Sequence, residues 1–248
     1  MVDTRLVDLI EGDHRHPANV RRYAARHPIE TLEFFGLRPD MTVLEILPAT
    51  GWYTEILAPY LAGRGRLYAA HFSPDGILPY MPQVLAMFED RIANEPEVFA
   101  RMIVRHINPP HEVSIAPPES VDLALTFRNV HNWIMADQVD EYFTAFYRAL
   151  KPGGVLGVVE HRARADAPEE EAKTTGYVAE PRVVAIAEAA GFALEAASEI
   201  NANPNDTADH PDGVWSLPPF MRSGKDDKWR EIGESDRMTL KFVKPGSD

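Results

Sequence analysis

The chain contains no cysteine. It therefore has no disulfide bond, no thiolate metal ligand and no cysteine nucleophile, a composition compatible with a reducing compartment. It also has no run of about 18 apolar residues, so we expect no transmembrane helix and no membrane partner. The start, MVDTRLVDLIEGDHRH, lacks the basic and apolar regions of a secretory signal. We therefore expect a cytoplasmic protein.

Positive charge is scarce. The 25 Lys and Arg residues against 38 Asp and Glu residues give a formal net charge of −13. A generally acidic surface repels phosphate backbones, so nucleic acid is not expected as a partner and a small molecule is the expected substrate. The 248 residues, 45% of them hydrophobic, suffice for one core, and we expect a single domain over 1–248. The oligomeric state stays open.

Residues 42–61, TVLEILPATGWYTEILAPYL, are the most informative segment of the chain. The apolar, β-branched start predicts a buried strand at 42–46, and Pro48 and Gly51 predict a turn. A helical pattern follows from about Trp52. Open α/β sheets bind ligands at the carboxyl ends of their strands, where helix N-termini offer free N–H groups. The segment therefore predicts a ligand site.

Strands and helices alternate along the rest of the chain, which predicts an α/β fold with a mainly parallel sheet. Further strands are predicted at 66–70, 102–107, 121–126 and 155–160, and helices at 29–36, 80–92, 95–101, 136–150 and 180–190. Residues 1–40 are expected to form two or three helices. The polar segments 163–176 and 201–233 are expected to be loops at the functional edge.

Several motifs resemble those of a known superfamily. Glu45-Ile-Leu47-Pro-Ala49-Thr-Gly51 is similar to the acid-x-Gly-x-Gly-x-Gly loop of class I S-adenosylmethionine-dependent methyltransferases. The segments LKPGG and DLALTFRNVHNW resemble the turn before the fifth strand and the fourth strand with its active-site loop. GWYTEILAPYL, TFRNVHNW, SEINANP, DTADHP and GESDRMTL resemble a bacterial family of predicted methyltransferases over about 21–244.

The resemblance implies a Rossmann-like class I methyltransferase fold. That fold has a mostly parallel seven-stranded sheet with helices on both faces, an N-terminal helical lid and a reversed last strand. It implies a closing antiparallel pair at 192–200 and 237–243. Within the single domain, 1–40 would be the helical segment, 42–160 the cofactor-binding core, and 161–248 the substrate-side loops and closing strands.

The resemblance also implies S-adenosylmethionine as cofactor. The residues expected to bind it are Glu45, Leu47, Ala49, Gly51, Tyr53, His71 and Asn129. Two features depart from the superfamily pattern. Leu47 and Ala49 stand where glycine lets a ligand approach the backbone. His71 stands where the superfamily has a ribose-binding acid, and a neutral imidazole forms weaker hydrogen bonds than a carboxylate.

Polar residues after the predicted strands are the candidate catalytic groups. His131 is the first candidate for a general base and His161 the second, because imidazole titrates near neutral pH. Arg128 is a candidate for holding an acidic or phenolate substrate through its guanidinium fork. The candidate substrate-binding residues are Trp52, Trp133, Glu160, Arg162 and His210.

Three alternatives stay open at this point. His71, His131 and His161 can together ligate a divalent metal, with Glu160 or Asp209-His210 nearby, although their spacing matches no compact metal motif. The same His and Arg residues can run a lyase or isomerase reaction on a repurposed methyltransferase fold. The third alternative is a non-catalytic ligand-binding protein.

Overall fold

The strands form one seven-stranded sheet. The structure is a computed structural model that describes residues 3–76, 78, 80–99 and 101–246. The strands are β1 (Thr42–Ile46), β2 (Arg66–Phe72), β3 (Ile103–Ile107), β4 (Val121–Phe127), β5 (Leu150–His161), β6 (Ala193–Ser198) and β7 (Arg237–Val243). Their order is β3-β2-β1-β4-β5-β7-β6. Strand β7 runs antiparallel to β5 and β6, and the other neighbours pair in parallel.

Helices cover the sheet on both faces. Four short helices precede it: α1 (Thr4–Ile10), α2 (Pro17–Val20), α3 (Tyr23–Arg26) and α4 (Pro28–Phe34). The others are α5 (Thr54–Leu61), α6 (Tyr80–Asn94), α7 (Pro96–Phe99), α8 (Val130–Met135), α9 (Val139–Ala149), α10 (Ala172–Thr175), α11 (Glu180–Ala189) and α12 (Asp227–Ile232). Short 3₁₀ turns occupy Glu169–Glu171 and Gly213–Ser216. In the part of the chain that the structure describes, none of these helices combines the length and apolarity needed to cross a membrane.

The alternation of strand side chains produces two hydrophobic layers. Val43 and Leu123 point to one face and pack with α1, α4 and α5. Leu44 and Ala124 point to the other face and pack with α8, α9 and α11. The sheet is therefore buried on both faces, as a parallel sheet requires.

This architecture confirms the predicted Rossmann-like class I methyltransferase fold. Several local predictions need correction. The helix predicted at 136–150 begins at Val139, because Asp137 has φ 52° and separates it from α8, which the sequence pattern did not predict. The helix predicted at 95–101 ends at Phe99, and residue 100 lies outside the described residues. The predicted loops contain 3₁₀ turns and the helices α10 and α12.

Candidate functional site

The loop between β1 and α5 keeps a backbone that normally requires glycine. Leu47, Ala49 and Gly51 have φ values of 45°, 52° and 85°. These values lie in the left-handed region, where a side chain is strained and glycine is not. The Leu47 side chain is buried in the core, whereas Ala49 and Thr50 are exposed. The loop therefore has the path of a glycine-rich loop with only one of its three glycines.

Glu45 lies at the end of β1 and is fully enclosed. Its carboxyl accepts a hydrogen bond from Thr54 Oγ1 at 2.7 Å, which joins the strand end to the start of α5. Burial raises the pKa of Glu45 to about 8, and the Thr54 hydrogen bond opposes that rise. Glu45 is therefore mostly protonated at neutral pH. Its contact with a cofactor stays a prediction.

His71 has different neighbours from those that the sequence predicted. Its Nδ1 accepts from the backbone N–H of Phe72 at 2.8 Å, so the proton lies on Nε2, which donates to Ala49 O at 2.9 Å. Burial lowers its pKa to about 4, so the ring is neutral at pH 7. Both nitrogens are thus engaged by the backbone. His71 therefore holds the loop after β1, and its predicted contact with a ribose stays a prediction.

A cavity of about 440 Å³ opens beside the ends of β2 and β3. Its lining includes the apolar side chains of Phe72, Met81 and Ile107 and the amide of Asn132. An apolar lining with a few polar groups suits a flat ring system with hydrogen-bonding atoms. Trp133, predicted to contact substrate, is not in the described lining.

Three aromatic residues that were predicted to contact cofactor or substrate, Trp52, Tyr53 and Trp133, are buried. Trp133 stacks on Tyr142 with ring centroids 4.2 Å apart, inside the hydrophobic core. Tyr53 stacks on Phe127 at 3.7 Å. Trp52 lies under the guanidinium of Arg26 at 4.5 Å. These contacts explain the three residues by packing, and any ligand contact stays a prediction.

His131 and Glu160 form a buried pair at the ends of β4 and β5. The Glu160 carboxylate accepts from the backbone N–H of His131 at 3.2 Å and of His161 at 2.8 Å. It also contacts His131 Nδ1 at 2.9 Å. A carboxylate that accepts two N–H groups acts as an acceptor, so Nδ1 carries the proton and Nε2 has the free lone pair. This geometry prepares His131 to accept a proton.

His161 lies next to this pair. Its ring centroid is 5.0 Å from that of His131, and its Nδ1 lies 2.5 Å from Ser235 Oγ. Burial lowers the pKa of His161 well below its usual value, and the neighbouring His131 ring and the charge of Arg128 lower it further. His161 is therefore neutral at pH 7.

The metal alternative stays a prediction, and the ligand group that the described residues offer differs from the predicted set of three histidines. Among the described residues, His131, Glu160 and His161 bring ligand atoms within 4.8 Å of one another, and His71 is not part of the group. The Glu160 oxygens already accept three N–H groups. Arg128 is close enough to depress the pKa of His161, and such a positive charge opposes a bound cation. The contacts therefore favour acid–base chemistry.

Arg128 and Asn129 follow β4 and face the same edge. Arg128 has φ 60°, its backbone N–H donates to Val159 O at 2.7 Å, and its guanidinium lies 3.8 Å from Glu234. Burial lowers the pKa of Arg128 to about 10, which leaves it charged at pH 7. The Asn129 amide donates to Ile46 O at 3.2 Å. It therefore joins the ends of β4 and β1.

Arg162 and His210 have protein partners that hold the late segment. Arg162 donates to Glu199 at 2.8 Å and 2.6 Å and to Asp236 at 2.9 Å, and these hydrogen bonds raise its pKa. His210 Nε2 lies 2.8 Å from Asp206. Both residues are thus explained by contacts within the chain. Their predicted substrate contacts stay predictions.

Four residues at this edge were not among the predicted site residues. Ser235 contacts His161, and Glu234 lies among the side chains of Arg26 and Arg237. The GESDRM motif was the available sequence signal for three of them. Arg26, more than 200 positions earlier, gave no signal that it belongs with them.

The comparisons with known proteins bear on the fold. No family model matches the chain, and no curated protein matches it. Solved structures with this fold include an S-adenosylmethionine-dependent methyltransferase from Aquifex aeolicus, at 16% identity over 97% of both chains with a TM-score of 0.61. The [4+2]-cyclase SpnF matches at 17% identity over 98% of this chain and 93% of that chain, with a TM-score of 0.62. The pyocyanin biosynthetic protein PhzM matches at 13% identity over 96% of this chain and 61% of that chain, with a TM-score of 0.56.

At these identities the likeness establishes the fold and leaves the activity open. The chain has the fold of S-adenosylmethionine-dependent methyltransferases, and that fold also carries a cyclase.

Proposed function

We propose that the chain is an S-adenosylmethionine-dependent methyltransferase acting on a small molecule, with His131 as its general base. The observation that carries the proposal is the buried Glu160–His131 pair, which leaves His131 Nε2 as a proton acceptor at the carboxyl edge of the sheet. Methyl transfer to a hydroxyl or similar acceptor needs such a group to remove the acceptor's proton. The fold supports the same conclusion.

Two parts of the chain fit the cofactor. The loop around Ala49 keeps the left-handed backbone that lets a ligand approach, and the cavity near Asn132 suits a ring system. When bound, S-adenosylmethionine supplies an activated methyl group. The ribose position is less favourable, because His71 uses both ring nitrogens for the backbone. We therefore expect S-adenosylmethionine to bind weakly, with most of its contacts at the two ends of the cofactor.

Residues of the chain remove the proton of the methyl acceptor and stabilise the charge that forms. His131 Nε2 removes the proton from the acceptor, and the imidazolium that forms is stabilised by the adjacent Glu160 carboxylate. Glu160 also fixes the tautomer and orientation of the ring, as a carboxylate does in hydrolase triads. His161 is neutral and is oriented by Ser235, so it adds no competing charge. The low exposure of His131 limits water at this base.

A second candidate function is proton-transfer chemistry without the cofactor, of the lyase or isomerase type. The observation that favours it is the engagement of His71, which removes the polar group expected at the ribose. The same fold carries the SpnF cyclase. The His131–Glu160 pair serves either function, because both need a base beside a small organic substrate.

The two functions are separated by turnover assays on phenolic and carboxylic small molecules, with S-adenosylmethionine supplied or omitted. We expect cofactor-dependent turnover that falls by roughly 10²–10⁴-fold in His131→Ala. The matched control is His111→Ala, which removes an exposed histidine and leaves turnover unchanged. Turnover without cofactor contradicts methyl transfer. Full activity in His131→Ala contradicts the assignment of the base.

Calorimetry provides the independent measurement of cofactor binding. We expect S-adenosylmethionine and S-adenosylhomocysteine to bind with Kd values below roughly 1 mM, which corresponds to about 4 kcal/mol. If neither binds in that range, methyl transfer is rejected and the cofactor-free function takes its place.

A further inference from the structure

Four arginines surround one buried carboxylate beside the candidate base. Glu234 lies 2.5 Å from Arg22, 3.3 Å from Arg237, 3.6 Å from Arg26 and 3.8 Å from Arg128, measured between side-chain N and O atoms. The five residues, here called the Glu234 cluster, come from the N-terminal helices, the end of β4 and the start of β7. The fold therefore brings distant parts of the chain together around a single negative charge.

The Glu234 cluster has excess positive charge, with four guanidinium groups facing one carboxylate. Among the described residues, Glu234 is the only carboxylate within 4.0 Å of these four groups. The nearby Asp236 is paired with Arg162 at 2.9 Å. Arg26 and Arg237 are only 2% and 3% exposed, so water compensates their charge poorly.

The pKa shifts report the same imbalance. Burial lowers the pKa of Arg26, and the charge of Arg128 lowers it further. Burial also lowers the pKa of Arg237. Burial alone raises the pKa of Glu234, but the charges of Arg26, Arg237 and Arg128 outweigh it and bring the value to about 2. An added anion would relieve the excess of positive charge.

Two buried donors of the cluster, Arg22 Nη2 and Arg26 Nε, have no hydrogen-bond acceptor among the described residues. By contrast, Arg237 donates to Ala25 O at 2.6 Å and to Ser235 O at 3.1 Å. Buried charged donors without partners cost free energy, so they usually have a ligand or water to bind. These two donors belong to Arg22 and Arg26, which both contact Glu234.

The Glu234 cluster adjoins the proton-accepting pair. Arg237 is the register partner of His161 across β5 and β7. Ser235, between Glu234 and Arg237 in the chain, contacts His161 Nδ1. Arg128 lies three residues before His131 at the end of β4. A molecule held by the arginines therefore lies on the His161 side of the base.

We propose that the Glu234 cluster binds a carboxylate group of a small molecule, through Arg22 and Arg26 with Arg128 and Arg237 supplying charge. A planar carboxylate accepts two parallel N–H groups from guanidinium donors. The inference rests on the proposed function, because that function supplies the two sources of such a group. One source is the acceptor substrate, and the other is the amino-acid tail of the cofactor.

The test uses the full chain with ¹⁵N-labelled arginine side chains, titrated with three probes. The probes are benzoate, S-adenosylhomocysteine, and 5′-methylthioadenosine, which lacks the amino-acid tail. We expect benzoate or S-adenosylhomocysteine to shift the Nε–H resonances of Arg22 and Arg26. Methylthioadenosine is expected to leave them in place.

Variants identify which source is bound. Arg22→Gln is suitable because Arg22 is 23% exposed in its side chain and tolerates replacement better than Arg26. We expect about 10-fold or greater loss of affinity for the carboxylate probe, in line with the loss of a charged hydrogen bond. If S-adenosylhomocysteine alone weakens, the tail is the ligand. If benzoate alone weakens, the substrate is the ligand.

Glu234→Gln tests the charge argument in the opposite direction. Removing the negative charge of Glu234 is expected to raise the affinity for the carboxylate probe, provided that circular dichroism reports the native fold. The matched control is Arg38→Gln, an exposed arginine paired only with Asp40 among the described residues, and it is expected to change no affinity. Unchanged affinity for both carboxylates in Arg22→Gln, with unshifted Arg22 and Arg26 resonances, overturns the proposal.

The outcomes also separate this proposal from the proposed function. If S-adenosylhomocysteine fails to bind but benzoate shifts the two arginines, the carboxylate site stands and methyl transfer fails. If S-adenosylhomocysteine binds equally well to Arg22→Gln and benzoate has no effect, methyl transfer stands and the carboxylate site fails.

Discussion

At the scale of single residues, backbone strain concentrates at the carboxyl edge of the sheet. Leu47, Ala49 and Arg128 have positive φ values of 45°, 52° and 60° without being glycine. Each such residue costs roughly 1–2 kcal/mol and persists only where its surroundings hold it. Here the holding contacts are visible: Leu47 N–H donates to Ala70 O at 2.7 Å, and Arg128 N–H donates to Val159 O at 2.7 Å.

Restoring glycine in the β1–α5 loop gives opposite results at two positions. Ala49→Gly relieves strain at an exposed residue, and we expect about 0.5–1 kcal/mol of added stability after the chain-entropy cost of glycine. Leu47→Gly relieves similar strain but removes a buried side chain, so we expect a net loss of about 2 kcal/mol. Urea unfolding measures both. A destabilised Ala49→Gly would show that the positive φ is not strained.

The buried carboxyl of Glu45 predicts a specific pH dependence. Its pKa rises from 4.5 to about 8 on folding, so between these values the folded state holds a proton that the unfolded state has lost. The contribution of Glu45 to the free energy of unfolding is therefore fully present below about pH 4.5. It falls by about 1.4 kcal/mol per pH unit until about pH 8. We expect the stability of wild type relative to Glu45→Gln to decline across this window.

Urea unfolding between pH 5 and pH 8 measures that difference. The matched control is the exposed Glu170→Gln, whose difference from wild type is expected to be constant in pH. A constant difference for Glu45→Gln as well would mean that Glu45 is ionised in the folded protein at neutral pH.

At the scale of elements, the strands β1 to β5 were predictable as apolar runs between turn residues, whereas β6 and β7 were expected from the family resemblance. The predicted strand at 42–46 has the observed bounds, and the one predicted at 121–126 extends by one residue. Helix α8 was not predicted, since VHNWIM is too short to show a helical period. The predicted loop at 201–233 has structure that depends on contacts distant in sequence, which no local pattern reveals.

The candidate site was predictable only in its location. The rule that strand ends converge brought His131 and His161 together with Glu160. It could not decide which way a ring turns, and His71 turns toward the Ala49 carbonyl. The Glu234 cluster was not predicted, because Arg22, Arg26 and Arg128 are all more than 100 positions from Glu234 in the chain.

The segment before β7 depends on one amide. Asn203 Nδ2 donates to Ile232 O at 2.8 Å and to Glu234 O at 2.6 Å. Asn203→Ala leaves both carbonyls without this donor, and we expect about 1–3 kcal/mol of lost stability. We also expect faster hydrogen exchange in 227–237, because local opening becomes cheaper. Asn205→Ala, at an exposed neighbour, is the control, and equal exchange in the two variants would contradict this role.

At the scale of the whole molecule, charge is distributed unevenly. The chain has a formal net charge of −13, yet Arg26, Arg128 and Arg237 lie together at the carboxyl edge of the sheet. Burying several guanidinium groups side by side costs free energy, even in a molecule whose net charge is negative. A bound anion would offset that cost. At long range the acidic surface repels anions, so any carboxylate ligand is bound by short contacts and not by attraction at a distance.

The same net charge predicts how salt affects stability. Like charges repel more strongly in the compact state than in the expanded unfolded chain, and salt screens that repulsion over about 10 Å at 0.1 M. We therefore expect the urea midpoint to rise between about 20 mM and about 500 mM NaCl, at a constant m-value. Because the effect is screening, it should continue to grow over the whole range.

A charge-reduced variant tests this cause. Asp90→Asn, Glu97→Gln and Glu170→Gln together change the charge from −13 to −10, and none of the three has a salt-bridge partner among the described residues. We expect a smaller salt response in this variant than in wild type. A response that saturates within this range of NaCl would instead indicate chloride binding by the buried arginines, because binding to a site saturates and screening does not. That result would be abolished by Arg22→Gln, whereas the screening response would be unaffected by it.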